Sequence, residues 1–360
     1  MTGKPIYVLG PCAAESRAQV LECAEELSRI HAQRPFIFRA GVWKPRTSPH
    51  TFQGVGEEAL EWLREVKERF GLEVATEVAT PEHVEAALRA GIDYLWIGAR
   101  SSATPIVVQS LADSIGDLRF EISNLKGIFI KNPVNEDAAL WLGNIERLEK
   151  TGVPVMAVHR GCGHKPCWAM AHKVRLARPD IPMLLDPSHM SGDAALVPAL
   201  MQKIDELGLD GAMVEVHCHP EQALSDAKQQ ISPTILLSEC WPFSTRFRLV
   251  FDSFTCLSTE KAGNEEVKDA VELQWLRAEM DEIDERLWET IAQRMEVSRR
   301  IGAWKKLHGV APLQPQRYKE IVEKIKTPPA PLPEGEKGLR TEFKLALWEL
   351  IHEESLRQQS

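Results

Sequence analysis

The 360-residue sequence contains no apolar run near the roughly 18 residues a bilayer-spanning helix needs, which argues against a helical membrane protein. It has no excess of positive charge: 43 Lys and Arg stand against 52 Asp and Glu, a formal net charge of −9. That balance excludes general binding to nucleic acid or to an anionic membrane, so any basic function must be local. It has no paired cysteine framework either. Seven cysteines, an odd number, are scattered along the chain, as expected of reduced thiols in a cytoplasmic enzyme. The start, MTGKPIYVLGPC, lacks a charged segment followed by a long apolar one and reads as a strand rather than a leader. What remains is the composition of a soluble globular protein, with 44% hydrophobic and 26% charged residues and enough length for one or two cores.

Up to about residue 231, short β-rich runs alternate with helical stretches. The strand candidates are PIYVLG, FIFRAG, EVATEV, YLWIGA, GIFIKN, VMAVHR, PMLLDP and GAMVEV. Each is short and largely apolar, as strands buried on both faces should be. Between them lie segments such as GEEALEWLREVKERF and TPEHVEAALRAG, with helical periodicity. Eight β-then-α units of even length predict an α/β fold, a (β/α)8 TIM barrel, over an open doubly wound sheet. After about residue 250 the texture changes. The pattern predicts a barrel over 1–253, a linker over 254–266 and a small all-α three-helix domain over 267–360, whose first helix runs from about 267 to 308 without proline. A helix of that length needs partners along it, which points to dimerisation.

In such a barrel the active site lies at the carboxyl ends of the strands. Read there in order, the sequence places Cys12 after strand one, Arg39 on strand two with Lys44, Arg46 and Thr47 after it, Glu77 on strand three, and Arg100 after strand four. Lys131 ends strand five, Arg160 follows strand six, Asp186-Pro187-Ser188-His189 follows strand seven, and Glu215 and His217 belong to strand eight, with Asp226 beyond. One group is cationic: Arg39, Lys44, Arg46, Arg100, Lys131 and Arg160 suit phosphate and carboxylate ligands. The other, Cys12, His189, Glu215 and Asp226, is a mixed sulfur, nitrogen and oxygen set for a divalent transition metal. The stretch AVHRGCGHKPCW, at 157–168, invites a zinc assignment. However, Cys162 and Cys167 lack the tight pairing of common zinc ribbons. Arg160 is its functional candidate, His159 a second residue of the mouth, and Cys162, His164 and Cys167 are read as loop residues without a ligand role.

GPC, KPRT, ATEV, IGAR, DPSH and the MVEVH…ALSDAKQQ ending occur in this order across nearly the whole barrel. The barrel thereby resembles the 3-deoxy-D-arabino-heptulosonate 7-phosphate (DAHP) synthases of the compact bacterial class. The resemblance implies a divalent metal on Cys12, His189, Glu215 and Asp226, with manganese first and iron, cobalt or zinc as alternatives. It implies phosphoenolpyruvate held by Arg39, Lys44, Arg100, Lys131 and Arg160. Arg46 and Thr47 would meet erythrose 4-phosphate, since a related synthase of an eight-carbon sugar acid phosphate differs at KPRT. The implied reaction polarises the aldehyde with the metal, joins it to the enol carbon, adds water and releases phosphate. Lys44, Glu77 and Lys131 are the implied catalytic residues, Glu77 either stabilising the cationic centre, handling a water proton, or serving as an ion-pair partner of the basic cluster. A metal-dependent synthase for another phosphorylated sugar is the alternative.

On a helical wheel zeroed at Arg294, Leu276, Met280, Ile283, Leu287, Ser298, Ile301 and Lys305 fall within about 40°. Two cations thus lie on the apolar stripe, where they call for an anion or a carboxylate. Arg277 lies about 100° away and is suited to a pocket of a second chain. The wheel alone also fits a dimerisation arm with internal ion pairs. LRAEMDEIDERLWETIAQRMEVSRRIGAWK, QPQRYKEI and HEESLRQQ together resemble the three helices of the all-helical chorismate mutases. The resemblance implies that Arg277, Arg294, Lys305, Arg317, Ser355 and Gln359 bind chorismate, that Lys305 and Gln359 act on its ether oxygen, and that Arg277 crosses a homodimer interface. Tyr318 and Gln314 stand where that family often carries acidic residues. The tail is therefore expected to be a mutase, a regulatory module sensing a product such as prephenate, or both.

Overall fold

Eight parallel strands close into one barrel in sequence order. They are β1 (Ile6–Gly10), β2 (Ile37–Arg39), β3 (Glu73–Val78), β4 (Tyr94–Ile97), β5 (Gly127–Lys131), β6 (Val155–His159), β7 (Met183–Leu185) and β8 (Gly211–Glu215). Closure is made by β1 against β8, in register from Ile6 opposite Gly211 to Gly10 opposite Glu215. The computed structural model describes residues 5–31, 34–45, 48, 50–118, 124–240, 262–326 and 339–359, with backbone alone for 262–268. The expected (β/α)8 architecture is the one found.

Strand side chains alternate between the barrel interior and the helix layer. Val8, Ile37, Ala75, Trp96, Phe129, Met156, Val158, Leu184 and Met213 form the inner cluster. The larger outer cluster, including Leu9, Phe38, Val74, Leu95, Ile130, Ala157 and Val214, packs against helices 17–31, 58–70, 81–89, 105–118, 138–149, 168–177 and 197–206. Helix starts follow local chemistry. The Thr80 side chain accepts from the His83 backbone N–H with Pro81 in the first turn, and Asp137 accepts from Leu140. Helix 58–70 ends at Gly71 in the left-handed conformation.

Three helices follow, Ala262–Leu307, Pro315–Lys326 and Thr341–Gln359. By its contacts the chain divides into two units, Met1–Glu279 and Met280–Ser360. This departs from the expected boundaries: the first tail helix is 46 residues long and begins at Ala262, within the stretch expected to be linker. Its segment up to Glu279 belongs to the barrel unit for a concrete reason. The Trp275 indole N–H donates to the Leu207 carbonyl at 3.0 Å, its ring stacks on His172, and His172 is bonded to Glu279. Sequence periodicity cannot show that one helix serves two cores.

Candidate active sites

The alternation that fills the barrel with apolar side chains continues upward into polar ones. Two residues beyond Ile37, Ala75, Phe129, Leu184 and Met213 come Arg39, Glu77, Lys131, Asp186 and Glu215, at the same interior parity. Val158 is followed likewise by Arg160, and Val8 by Gly10 and Cys12. Gly10 has φ +145°, and a Cβ there would lie 2.3 Å from the Arg39 carbonyl oxygen. Only glycine lets β1 and β2 approach this closely, which keeps Cys12 and Arg39 at one mouth.

Arg39 is 1% exposed. Its Nη2 donates to Glu215 Oε1 at 3.2 Å, and its guanidinium lies 4.6 Å over the Trp96 ring. Its Nε and Nη1 are buried without a hydrogen-bond partner among the described residues. A buried donor left unpaired costs about 1–3 kcal/mol, so this side chain is built to receive an acceptor. Lys131 Nζ lies 2.7 Å from Asp186 Oδ2, and Lys44 Nζ 3.0 Å from Cys12 Sγ and 3.8 Å from Glu77. Arg160 donates its backbone N–H to Asn132 at 2.7 Å, and Arg100, exposed, donates to the Pro45 carbonyl at 3.3 Å. These five cations line one pocket, of about 180 Å³, together with Glu77, His189 and Asp226.

At the same mouth Cys12, Glu215 and Asp226 offer ligand atoms within 4.8 Å of one another. Cys12 Sγ is 3.0 Å from Asp226 Oδ2, and His189 Nε2 is 3.6 Å from Glu215 Oε1. A surrounding layer fixes these groups. Asp186 Oδ2 is 2.9 Å from His189 Nδ1 and turns Nε2 toward Glu215. Gln229 donates to Glu215 Oε2 at 2.7 Å, Ser188 Oγ accepts from the Glu215 N–H at 3.0 Å, and Gln230 Oε1 accepts from the Cys12 N–H at 3.0 Å. Asp226 takes φ +52°, a backbone strain held at the site itself. Burial, then the Glu215 charge, pushes the Cys12 thiol far up. For Asp186 burial acts upward but is outweighed by His189 and Lys131, which hold the carboxyl well below the usual range. For Glu215 the charges of His189 and Arg39 likewise outweigh burial and lower it. A thiol, an imidazole and two carboxylates fit a divalent transition ion, which would replace the thiol proton.

In the tail, Arg294 Nη1 donates to Ser355 Oγ and, at 3.3 Å, to the Ile351 carbonyl. Lys305 Nζ donates to Gln359 Oε1 at 3.2 Å and to the Pro312 carbonyl at 2.5 Å. Gln359 Nε2 donates to Ser298 Oγ at 2.9 Å. Helix packing makes this contact: a Cβ on Gly302 would lie 2.7 Å from the Gln359 Cα. Arg294, Lys305, Ser355 and Gln359 are therefore brought together. Arg317 is exposed and pairs with Glu320 at 3.2 Å, while Arg277 is exposed within the other unit. Tyr318 packs on Trp348 and His352.

A family model described as the DAHP synthetase I family matches residues 2–242. The chain belongs to the DAHP synthetase I family. A second model, chorismate mutase type II, matches residues 276–360. The phospho-2-dehydro-3-deoxyheptonate aldolase of Thermotoga maritima is 32% identical over 233 residues, 62% of this chain and 64% of that protein, so the chain spans less than two thirds of this relative's length. A 2-dehydro-3-deoxyphosphooctonate aldolase of Helicobacter pylori is 26% identical over 254 residues, 64% of this chain and 91% of that protein. Among solved structures, a DAHP synthase from Thermotoga maritima aligns with a TM-score of 0.59 at 25% identity, covering 69% of this chain and 70% of that one. A truncated form of 3-deoxy-D-arabino-heptulosonate 7-phosphate synthase from the same organism aligns at 0.56 and 24% identity, covering 70% of this chain and 88% of that one, and shows the shared fold.

Within this family member, several residues fall differently from the expectation. Arg46 and Thr47 lie outside the described residues. His159 does not face the mouth. It has the opposite strand parity to Val158 and Arg160, is fully buried between Trp141 and Trp168, and burial holds its imidazole down to about 3. His217 lies past the end of β8, with its Nδ1 accepting from the His219 N–H. Conversely, His164, expected to be a plain loop residue, lines the pocket. Asp186, Gln229 and Gln230 had been given no role. Asp186 was legible from its interior parity in DPSH, whereas the two glutamines follow an irregular loop that carries no periodic signal.

Proposed function

We propose that the barrel condenses phosphoenolpyruvate with D-erythrose 4-phosphate to give DAHP and phosphate, and that the tail rearranges chorismate to prephenate. The observation that carries the first half is the pair of buried Arg39 donors without a partner among the described residues, on a side chain that lines one pocket with Lys44, Arg100, Lys131 and Arg160. A phosphorylated carboxylate meets that demand with several acceptor oxygens. Arg39, Lys131 and Arg160 would hold it, and Lys44 would bind it beside Cys12 while neutralising Glu77. Glu77, facing the same pocket, is positioned to accept a proton from water adding to the developing cation. Arg46 and Thr47 would take the aldehyde's phosphate. Cys12, His189, Glu215 and Asp226 would hold one divalent ion, manganese in our assignment, with iron, cobalt and zinc compatible with the donors. Polarisation of the aldehyde carbonyl is the chemistry such an ion supplies when bound.

For the tail, Arg294 and Lys305 would bind the two carboxylates and the ether oxygen of chorismate, with Gln359 donating to the ether oxygen. No covalent step is required; binding the compact conformer and stabilising its charge suffices. Leu276, Met280, Ile283, Leu287 and Ile301 are all at least 42% exposed. Exposed apolar side chains on one face of the helix, at 276, 280, 283 and 287, support a homodimer, in which Arg277 would serve the other chain's site. A soluble, cytoplasmic location fits a chain whose described helices include none long and apolar enough to cross a membrane.

The test is an assay of both reactions on the full-length chain after chelation and metal re-addition. Metal-dependent DAHP formation with erythrose 4-phosphate, and little product with a five-carbon aldehyde phosphate, is expected. The reverse preference would reassign the barrel. Chorismate loss at background rate would leave the tail a regulatory or dimerisation module. Prephenate inhibition of the full chain but not of one ended after Glu279 would establish sensing, which the mutase assignment allows.

A further inference from the structure

Behind the β1–β8 seam lies a second group of reactive side chains that neither proposed reaction uses. Cys23, on helix Arg17–His31, is fully buried, and Cys218, three residues beyond Glu215, is half-buried. Their sulfurs are 3.0 Å apart, with the Cys23 thiol donating to Cys218 Sγ. The Cys218 backbone N–H donates back to Cys23 Sγ at 3.2 Å. His217, Glu22 and His219 complete the surroundings, His219 Nε2 lying 3.1 Å from Glu22 Oε1.

We propose that Cys23 and Cys218 are a reversible dithiol–disulfide pair, in which Cys218 meets a hydroperoxide and Cys23 resolves the product. The geometry assigns the roles. Cys218 is the more exposed residue of the two and so meets the oxidant first, while the buried Cys23 lies within a short closing movement of a disulfide bond, about 2.05 Å. Contact with the Cys23 thiol lowers the Cys218 thiol below the ordinary cysteine value against the opposing effect of burial, which favours its nucleophilic form. The Cys218 thiolate attacks the peroxide O–O bond, giving sulfenic acid and hydroxide. Cys23 sulfur then attacks the Cys218 sulfur, the S–O bond breaks, and water leaves. Two thiols lose two electrons, and hydrogen peroxide is reduced to two waters.

Cys23, His217 and Cys218 also have the spacing of metal ligands. An ion taken through His217 Nδ1 would have to displace the His219 N–H, which that nitrogen already accepts at 2.9 Å, and the Glu22–His219 pair lies exposed, away from the buried Cys23.

The test treats the reduced, metal-loaded full-length protein with hydrogen peroxide, then alkylates it and maps its peptides. A Cys23–Cys218 linked peptide lighter by two hydrogens, reversed by a dithiol reductant, is expected. Cys23→Ser should leave a Cys218 sulfenic acid trapped by dimedone, and Cys218→Ser should leave Cys23 unlabelled. The proposal fails if the linked peptide is absent while other thiols oxidise, or if dimedone labels Cys23 in Cys218→Ser. It fails equally if the untreated protein binds two zinc ions per chain and Cys218→Ser binds one.

Discussion

Replacing Arg39 by methionine separates what the residue does for the fold from what it does for a ligand. Methionine keeps an unbranched side chain of similar reach and removes the charge. The change breaks the 3.2 Å pair with Glu215 and the stacking on Trp96. Breaking a buried pair costs about 3–5 kcal/mol when it strands its partner. Here Glu215 is not stranded, because Gln229 still donates to it at 2.7 Å and His189 stands 3.6 Å away. Against the loss, two buried donors without a partner among the described residues disappear, a relief of about 1–3 kcal/mol each. The opposing effects are of similar size, so the metal-free protein should change stability by less than about 2 kcal/mol. The ligand has no such compensation. Two charge-assisted hydrogen bonds at about 1.5–3 kcal/mol each amount to a fall in kcat/KM for phosphoenolpyruvate of roughly 10²- to 10⁴-fold. Urea unfolding and steady-state consumption of phosphoenolpyruvate measure the two arms. A variant destabilised by more than about 4 kcal/mol with nearly unchanged kcat/KM would refute the reasoning and make Arg39 a structural residue.

Asp186→Asn removes the partner of the nearly buried Lys131 and the group that orients His189; we expect a loss of about 3–5 kcal/mol by urea unfolding, and weakened metal binding by calorimetry. Asp186 and Glu215 have folded-state values below their ordinary ones, so their stabilising effect is present above the unfolded carboxyl range near 4 and is lost as pH falls through the lowered values; the acid limb of the metal-free protein's Tm should be flatter in Asp186→Asn. Because burial keeps the Cys12 thiol protonated, metal loading near neutral pH should release a proton that an indicator dye detects in weak buffer, and Cys12→Ser should abolish most of that signal. Gly302→Ala forces a methyl to within 2.7 Å of the Gln359 Cα; overpacking of this kind costs about 1–3 kcal/mol, and chorismate turnover should fall while DAHP formation is retained.

The barrel was legible because each strand repeats one local pattern, a short apolar run followed by a helix, and eight repeats leave few alternatives to closure. The polar mouth was legible for the same reason. Arg39, Glu77, Lys131 and Glu215 continue the two-residue period of their own strands, so a local rule carries them inward. That rule also separates Arg160 from its neighbour His159, which the richness of AVHRGCGHKPCW had obscured. Beyond the strand ends the rule gives out. Gln229 and Gln230 reach Glu215 and Cys12 from an irregular loop after β8; they close the ALSDAKQQ motif, but no strand parity points them at these partners. In the tail the wheel put Arg294 and Lys305 on one stripe, whereas Arg317 pairs with Glu320 three residues on, along the exposed face of its own helix.

The sequence by itself determined the order of elements, the parity of each strand and the kinds of group available, because these depend on residues a few positions apart. The tertiary structure alone decided which distant groups meet: the two Arg39 nitrogens left without acceptors among the described residues, the Cys23 and Cys218 sulfurs 195 residues apart yet in contact, and the Trp275 anchor that commits one end of the long tail helix to the barrel. Such contacts depend on barrel closure, on buried donors that must be paired, and on side chains filling specific gaps. Those constraints act across the whole chain and leave no periodic trace in any part of it.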